Sequence, residues 1–362
     1  MSEHILREEE RIAFELRALY QKYGYLPYKM SKFEEYDLYA RNKEFLDGAR
    51  IVTFHDADGK LMALKPDITL SIVKNDADGG AKRKVYYNEK VYRASKKTGA
   101  FKELHQIGLE CIGDIELYDV YETTCLAAES LQQISDAFVL DVSHLGVLTA
   151  VLQGLGCGKE FEKAAKRCLS EKNLHELKLL CESYGVASEK LTALVSAYGK
   201  PQEVLAKLTT LLDGEAERAA LAELNALCTL LQSTKYADKI RLDFSVTGGG
   251  NYYDNVVFKG FIDGIGESVL SGGRYDRLLA RMGKKSGAIG FAVYLDTLET
   301  LRKNRRETDV DVVVLYDETV AVETLIKTVA DLIAEGNSVS AQKTQGDLRS
   351  KRCVELRGGK TC

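Results

Sequence analysis

The stretch Lys102–Gly113, KELHQIGLECIG, constrains the fold more than any other in the chain. Read as a strand it has two unlike faces, because successive side chains point to opposite sides. One face carries Ile107, Leu109 and Cys111, which require a core. The other carries Gln106, Gly108 and Glu110. On an edge strand that second face is simply solvated. If it is buried, the missing side chain at Gly108 lets another group approach the backbone. The flanking amide and carboxylate can then orient a small polar ligand. Both readings are open at this point.

The remaining segments supply partners for such a strand. Residues 4–23 have the spacing of an amphipathic helix, stopped by Gly24. An extended segment from Gly24 leads into a short acidic helix near 33–40. Two alternating runs flank Asp58-Gly59, a hairpin signal over 51–69. Residues 82–95 read as a strand, 96–106 as a loop feeding the central strand, and 115–138 as a helix. From about 145 to 236 the chain is rich in Leu, Ala, Glu and Lys with helical periodicity, which predicts an inserted helical module. Strand signals resume over 240–263, and Gly272-Gly273 is expected to mark a turn. Residues 287–301 read as a helix with a buried face. The basic run RKNRRET marks a linker at 303–309, followed by a small α/β tail over 310–362. That tail comprises the apolar strand VDVVVLY, a helix over 319–336 and a short polar end. The fold class expected is α+β: an antiparallel sheet flanked by helices, with a helical insertion.

Charge and cysteines narrow the function classes. A formal net charge of −4 over 362 residues argues against a broad nucleic-acid surface. The eight cysteines are scattered, with no CxxC pair, and predict free thiols in a reducing compartment and no zinc site. The charged N-terminal stretch lacks the apolar core of a signal peptide, and no run is long enough to span a membrane. A cytoplasmic protein is expected, with no metal and no cofactor.

Four further stretches place polar or aromatic groups beside glycine or a strand end. ALKPDIT carries Asp67 and Thr69, expected on one face of a strand or its end. VYRAS carries Arg93. TGGGNYY carries Tyr252 and Tyr253, and LSGGRYDRLL carries Tyr275. For the tyrosines, core packing with a satisfied hydroxyl is the competing explanation. Taken in order with LHQIGLE, these motifs resemble the core of histidyl-tRNA synthetase, a class II synthetase. KPDIT stands for R-P-E-x-T, and Tyr92-Arg93 with LHQIGLE for F-R and F-H-Q-x-G-x-E. TGGGNYY stands for V-R-G-L-D-Y-Y, G-G-R-Y-D is intact at 272–276, and GFAVYLDT stands for G-F-A-x-G-x-E-R. The resemblance covers residues 1–302, with residues 310–362 similar to part of the anticodon-binding domain.

The resemblance implies a histidine pocket. Asp67, Thr69 and Gln106 would hold the α-amino group, an ammonium needing acceptors. Glu110, Tyr253 and Tyr275 would read the imidazole. Arg93 would contact an anion. The ATP half departs from the pattern. Gly248 replaces the catalytic arginine and Thr297 the arginine for the γ-phosphate. Tyr294 replaces a glycine where adenine lies. Ser95, Ala100 and Lys102 replace further charged groups, and Ser31 a proline of motif 1. Each lost donor to a developing charge costs about 3 kcal/mol of transition-state stabilisation. Within this family the pattern implies a non-catalytic regulatory subunit of ATP phosphoribosyltransferase, acting in the first step of histidine biosynthesis. Its implied partners are a short-form catalytic subunit, in a hetero-octamer, and a second copy through the synthetase-like domain. Histidine would act as feedback inhibitor. A divergent synthetase or amino-acid ligase, and a histidine-sensing module of another system, are the alternatives. Nucleic-acid and membrane contacts are not expected.

Overall fold

The computed structural model describes residues 7–46, 50–76, 81–94, 98–248, 252–301, 308–357 and 360–361. Ser95 and most of the expected linker lie outside the described residues. The chain divides into two units, Met1–Leu301 and Arg302–Cys362.

The larger unit is built on a nine-stranded sheet. The strand Phe101–Gly113 lies inside it, antiparallel to Arg83–Ala94 on one side and to Gly287–Tyr294 on the other. This excludes the edge-strand reading. Beyond Gly287–Tyr294 follow Leu270–Arg274, Val256–Ile262 and Phe138–His144. The helices Glu8–Lys22 and Leu117–Ile134 cover one face. Ile107, Leu109 and Cys111 enter that core with 0% exposure. The opposite face is also buried. Gln106 is 6% and Glu110 2% exposed, beside a second apolar cluster that includes Tyr39, Leu70, Tyr275 and Leu278. Leu145–Leu155 to Glu215–Gln232 form the helical module, interrupted by the two-residue strand Tyr198–Gly199.

Several local expectations are corrected. Gly272-Gly273 does not turn; it lies within the strand Leu270–Arg274, because a side chain at Gly272 would strike Phe258 and Phe291. Residues 287–301 begin as the strand Gly287–Tyr294 and only then form a 3₁₀ helix, Leu295–Leu301. A short apolar run fits either element until its neighbours are known. The central strand starts at Phe101, so it takes in half of the expected loop. Thr69 begins the helix Thr69–Lys74 and does not share a strand face with Asp67.

The smaller unit carries a four-stranded sheet, in the order Val339–Gln342, Val310–Tyr316, Ser350–Arg357, Lys360–Thr361. The helix Val322–Ala334 contributes Leu332 to a core with Val312, Val314 and Leu356. The polar end of the tail pairs as strands.

Candidate functional site

One cavity of about 250 Å³ opens on the buried polar face of the central strand. Asp67, Thr69, Arg93, Gln106, Glu110, Tyr253 and Tyr275 all line it. Sequence positions more than two hundred residues apart are thus brought together: Arg93, Gln106 and Glu110 from two neighbouring strands, Thr69 from a short helix, and Asp67, Tyr253 and Tyr275 from the connecting segments.

Glu110 is held through both carboxyl oxygens. Its Oε1 accepts from the Thr69 hydroxyl at 2.7 Å and its Oε2 from the Tyr275 hydroxyl at 2.5 Å. Burial pushes its carboxyl up to about 8, against the pull of those two hydrogen bonds. At neutral pH it therefore holds a proton and can donate as well as accept.

Asp67 sits just before the helix Thr69–Lys74. Its Oδ1 accepts from the backbone N–H of Leu70 at 2.9 Å, a local bond that fixes the turn. Burial raises its carboxyl, and the Arg93 guanidinium opposes that shift. Arg93 donates from Nε to the Pro66 carbonyl at 2.5 Å and reaches Asp67 Oδ2 at 3.5 Å. Arg93 is the one cation among the described lining residues, paired with Asp67, while Glu110 is protonated at neutral pH. The lining thus offers polar acceptors and donors rather than a net charge.

Two lining residues were not assigned to the pocket from the sequence. Tyr252 packs among the aromatic rings, 4.9 Å from Tyr253 and 5.6 Å from Tyr275. Phe45 meets Tyr252 at 6.4 Å and joins the lining from a 3₁₀ turn, Lys43–Phe45. The tyrosine pair in NYY was a legible signal for the first; nothing local marked the second. The space above Gly108 is also not open to a ligand's backbone approach. The ring of Tyr87 fills it, so that a Cβ there would lie 2.5 Å from the Tyr87 hydroxyl.

The wall around Tyr253 and Tyr294 is closed by aromatic groups. Gly248 adopts φ +71°, and a Cβ there would come within 2.5 Å of the Tyr253 ring. Tyr294 also lines the cavity, its hydroxyl 2.5 Å from Ser271 Oγ. The Thr297 hydroxyl donates back to the Tyr294 carbonyl at 2.7 Å. At about 250 Å³ the space is smaller than the roughly 300–1,000 Å³ of sites for drug-sized ligands, and suits one small metabolite. Among the described residues no group of three His, Cys, Asp or Glu side chains could hold a metal ion. Among the described residues no helix is long and apolar enough to cross a membrane.

A family model described as histidyl-tRNA synthetase matches residues 2–298. The chain belongs to the histidyl-tRNA synthetase family. Its curated relatives include ATP phosphoribosyltransferase regulatory subunits. One from Alkaliphilus metalliredigens is 28% identical over 287 residues, covering 76% of this chain and 72% of that protein. Solved structures share the fold. A Bacillus halodurans protein described as an ATP phosphoribosyltransferase regulatory subunit/histidyl-tRNA synthetase superposes with TM-score 0.75 at 24% identity, over 96% of this chain and 93% of that one. A chain of the ATP phosphoribosyl transferase (HisG:HisZ) complex from Thermotoga maritima gives TM-score 0.64 at 17% identity, over 80% of this chain and 98% of that one. The class II synthetase-like α+β fold expected from the motifs is the observed one.

Proposed function

We propose that this chain is a non-catalytic regulatory subunit of ATP phosphoribosyltransferase, and that its cavity binds histidine as a feedback signal. The reading rests on one contrast within the cavity. Acceptors for an ammonium (Asp67, Thr69, Gln106) and a carboxyl able to share a proton with an imidazole (Glu110) converge on one side. On the other, the position that carries the catalytic arginine in synthetases is Gly248, with the Tyr253 ring packed over it. An amino acid is held, but the charge that builds during its activation by ATP has few cations to meet it.

The names of the relatives support the partner. The chain would join a short-form catalytic subunit in the cytoplasm, in a hetero-octamer of four copies of each. The synthetase-like units would pair through an isologous interface. Histidine would favour one arrangement of that complex, and the coupling would be reciprocal: the catalytic subunit's ligands would alter histidine affinity by the same factor.

Reconstitution tests this reading. A short-form catalytic subunit is expected to gain most of its activity when this chain is added, and to lose it again as histidine is titrated in. A catalytic subunit equally active alone, or a mixture indifferent to histidine, contradicts the proposal.

A further inference from the structure

Tyr87 lines the cavity, yet the site as described assigns it no partner in a ligand. It lies opposite Gly108 across the paired strands, and its ring covers that glycine. Gln106 and Glu110 stand two residues to either side of Gly108 on the same face. The Tyr87 hydroxyl is therefore held midway along the cavity floor, between the amide and the carboxylate. Its hydrogen bond to the Phe291 carbonyl is 3.5 Å long, at the outer limit of such contacts. A phenol only 2% exposed ordinarily finds a better partner. Burial, with Glu110 and Asp67 nearby, keeps the phenol neutral, so it retains both a proton and free lone pairs.

The position in the floor decides which part of a ligand it meets. An α-carboxylate belongs at the Arg93 end, where the guanidinium is. The side chain of the ligand must then run past Gly108 toward Glu110. We propose that the Tyr87 hydroxyl contacts the ring-bearing half of the bound amino acid and is a specificity-determining residue of this site. The proposal rests on the histidine reading above, and deepens it.

Titration of the full chain and of Tyr87→Phe with histidine and with histamine tests it. Histamine keeps the imidazole and the ammonium and lacks the carboxylate. Tyr87→Phe is expected to weaken both ligands by the same factor, about five- to tenfold, the range for one lost hydrogen bond. The unfolding midpoint should not move. Unchanged affinity for both ligands overturns the proposal, as does a loss confined to histidine, which would place the hydroxyl on the carboxylate. If the unaltered chain binds no histidine, the histidine reading itself fails, a result distinct from either. Should histamine bind too weakly to titrate, a crystal soaked in histidine decides. A ring nitrogen within about 3.2 Å of the hydroxyl supports the contact, and a gap beyond hydrogen-bond reach overturns it.

Discussion

The Tyr275 hydroxyl donates to Glu110 at 2.5 Å, joining the last glycine-rich motif to the polar face of the central strand. With Thr69 on the other oxygen, Glu110 is fixed from two sides. Replacing Glu110 by Ala should weaken histidine binding by about 2 kcal/mol or more, because Tyr275 and Thr69 lose their acceptor and the ring loses its partner. Calorimetry giving the same affinity for Glu110→Ala would remove this residue from the recognition of histidine.

The pH dependence of binding follows from the Glu110 carboxyl, raised to about 8. A free imidazole titrates near 6.5. Between about pH 6.5 and 8 the ring is neutral and Glu110 protonated, so the pair already carries the one proton it shares, and affinity should be flat. Above 8 binding must take up a proton, and below 6.5 it must release one, so affinity should fall by up to tenfold per unit on either side. Calorimetry in buffers of different ionisation enthalpy checks this. Affinity that still climbs from pH 8 to 9 contradicts it.

The same shift predicts a stability effect in the ligand-free protein. Glu110 is raised on folding from about 4.5 to about 8, so between those values the folded chain keeps a proton that the unfolded chain has lost. Its contribution is full below about 4.5 and is lost as pH rises through 8, by roughly 1.4 kcal/mol per unit in between. Glu110→Gln keeps the shape without the ionisation. Its stability relative to the unaltered protein should therefore improve from pH 5 to pH 9 in denaturant unfolding. No relative gain, or a relative loss, counts against the shift.

The order of motifs made the fold and most of the cavity legible. Gln106 and Glu110 follow from alternation along the central strand; Asp67 and Tyr275, which lie outside the strands, follow only from the resemblance of their motifs. Tyr87 was not legible. In the pair Tyr86-Tyr87 both rings are buried, on opposite faces of the sheet, and sequence alone does not say which faces the ligand. Gly272-Gly273 misled for a related reason. Gly272 is small because Phe258 and Phe291 press on it, and Gly273 because the Val256 carbonyl and the Tyr253 ring do, long-range contacts with no local signature.

Restoring an arginine at position 248 should not restore a catalyst. Gly248→Arg forces a side chain into φ +71° and against the Tyr253 ring. The backbone conformation alone costs roughly 1–2 kcal/mol. The variant should unfold at lower denaturant and show no histidine-dependent ATP–pyrophosphate exchange. Exchange appearing in a stably folded variant would mean that the nucleotide half is intact.

Behind the site, Lys65 is 0% exposed and pairs with Glu89 at 2.6 Å. Its carbonyl accepts from the Tyr92 N–H, tying the segment before Asp67 to the strand that bears Arg93. Lys65→Met leaves Glu89 without its cation and should cost about 3–5 kcal/mol of stability. Lys65→Met combined with Glu89→Leu should recover most of that loss. Chemical denaturation of both variants measures the difference.

Calorimetric titration of the full chain with histidine at pH 7 tests the central claim most directly. The account predicts saturable binding of one histidine per chain, lost or sharply weakened in Glu110→Ala and insensitive to added magnesium ATP. No binding at millimolar histidine, or binding that depends on ATP as in an activating enzyme, would contradict it.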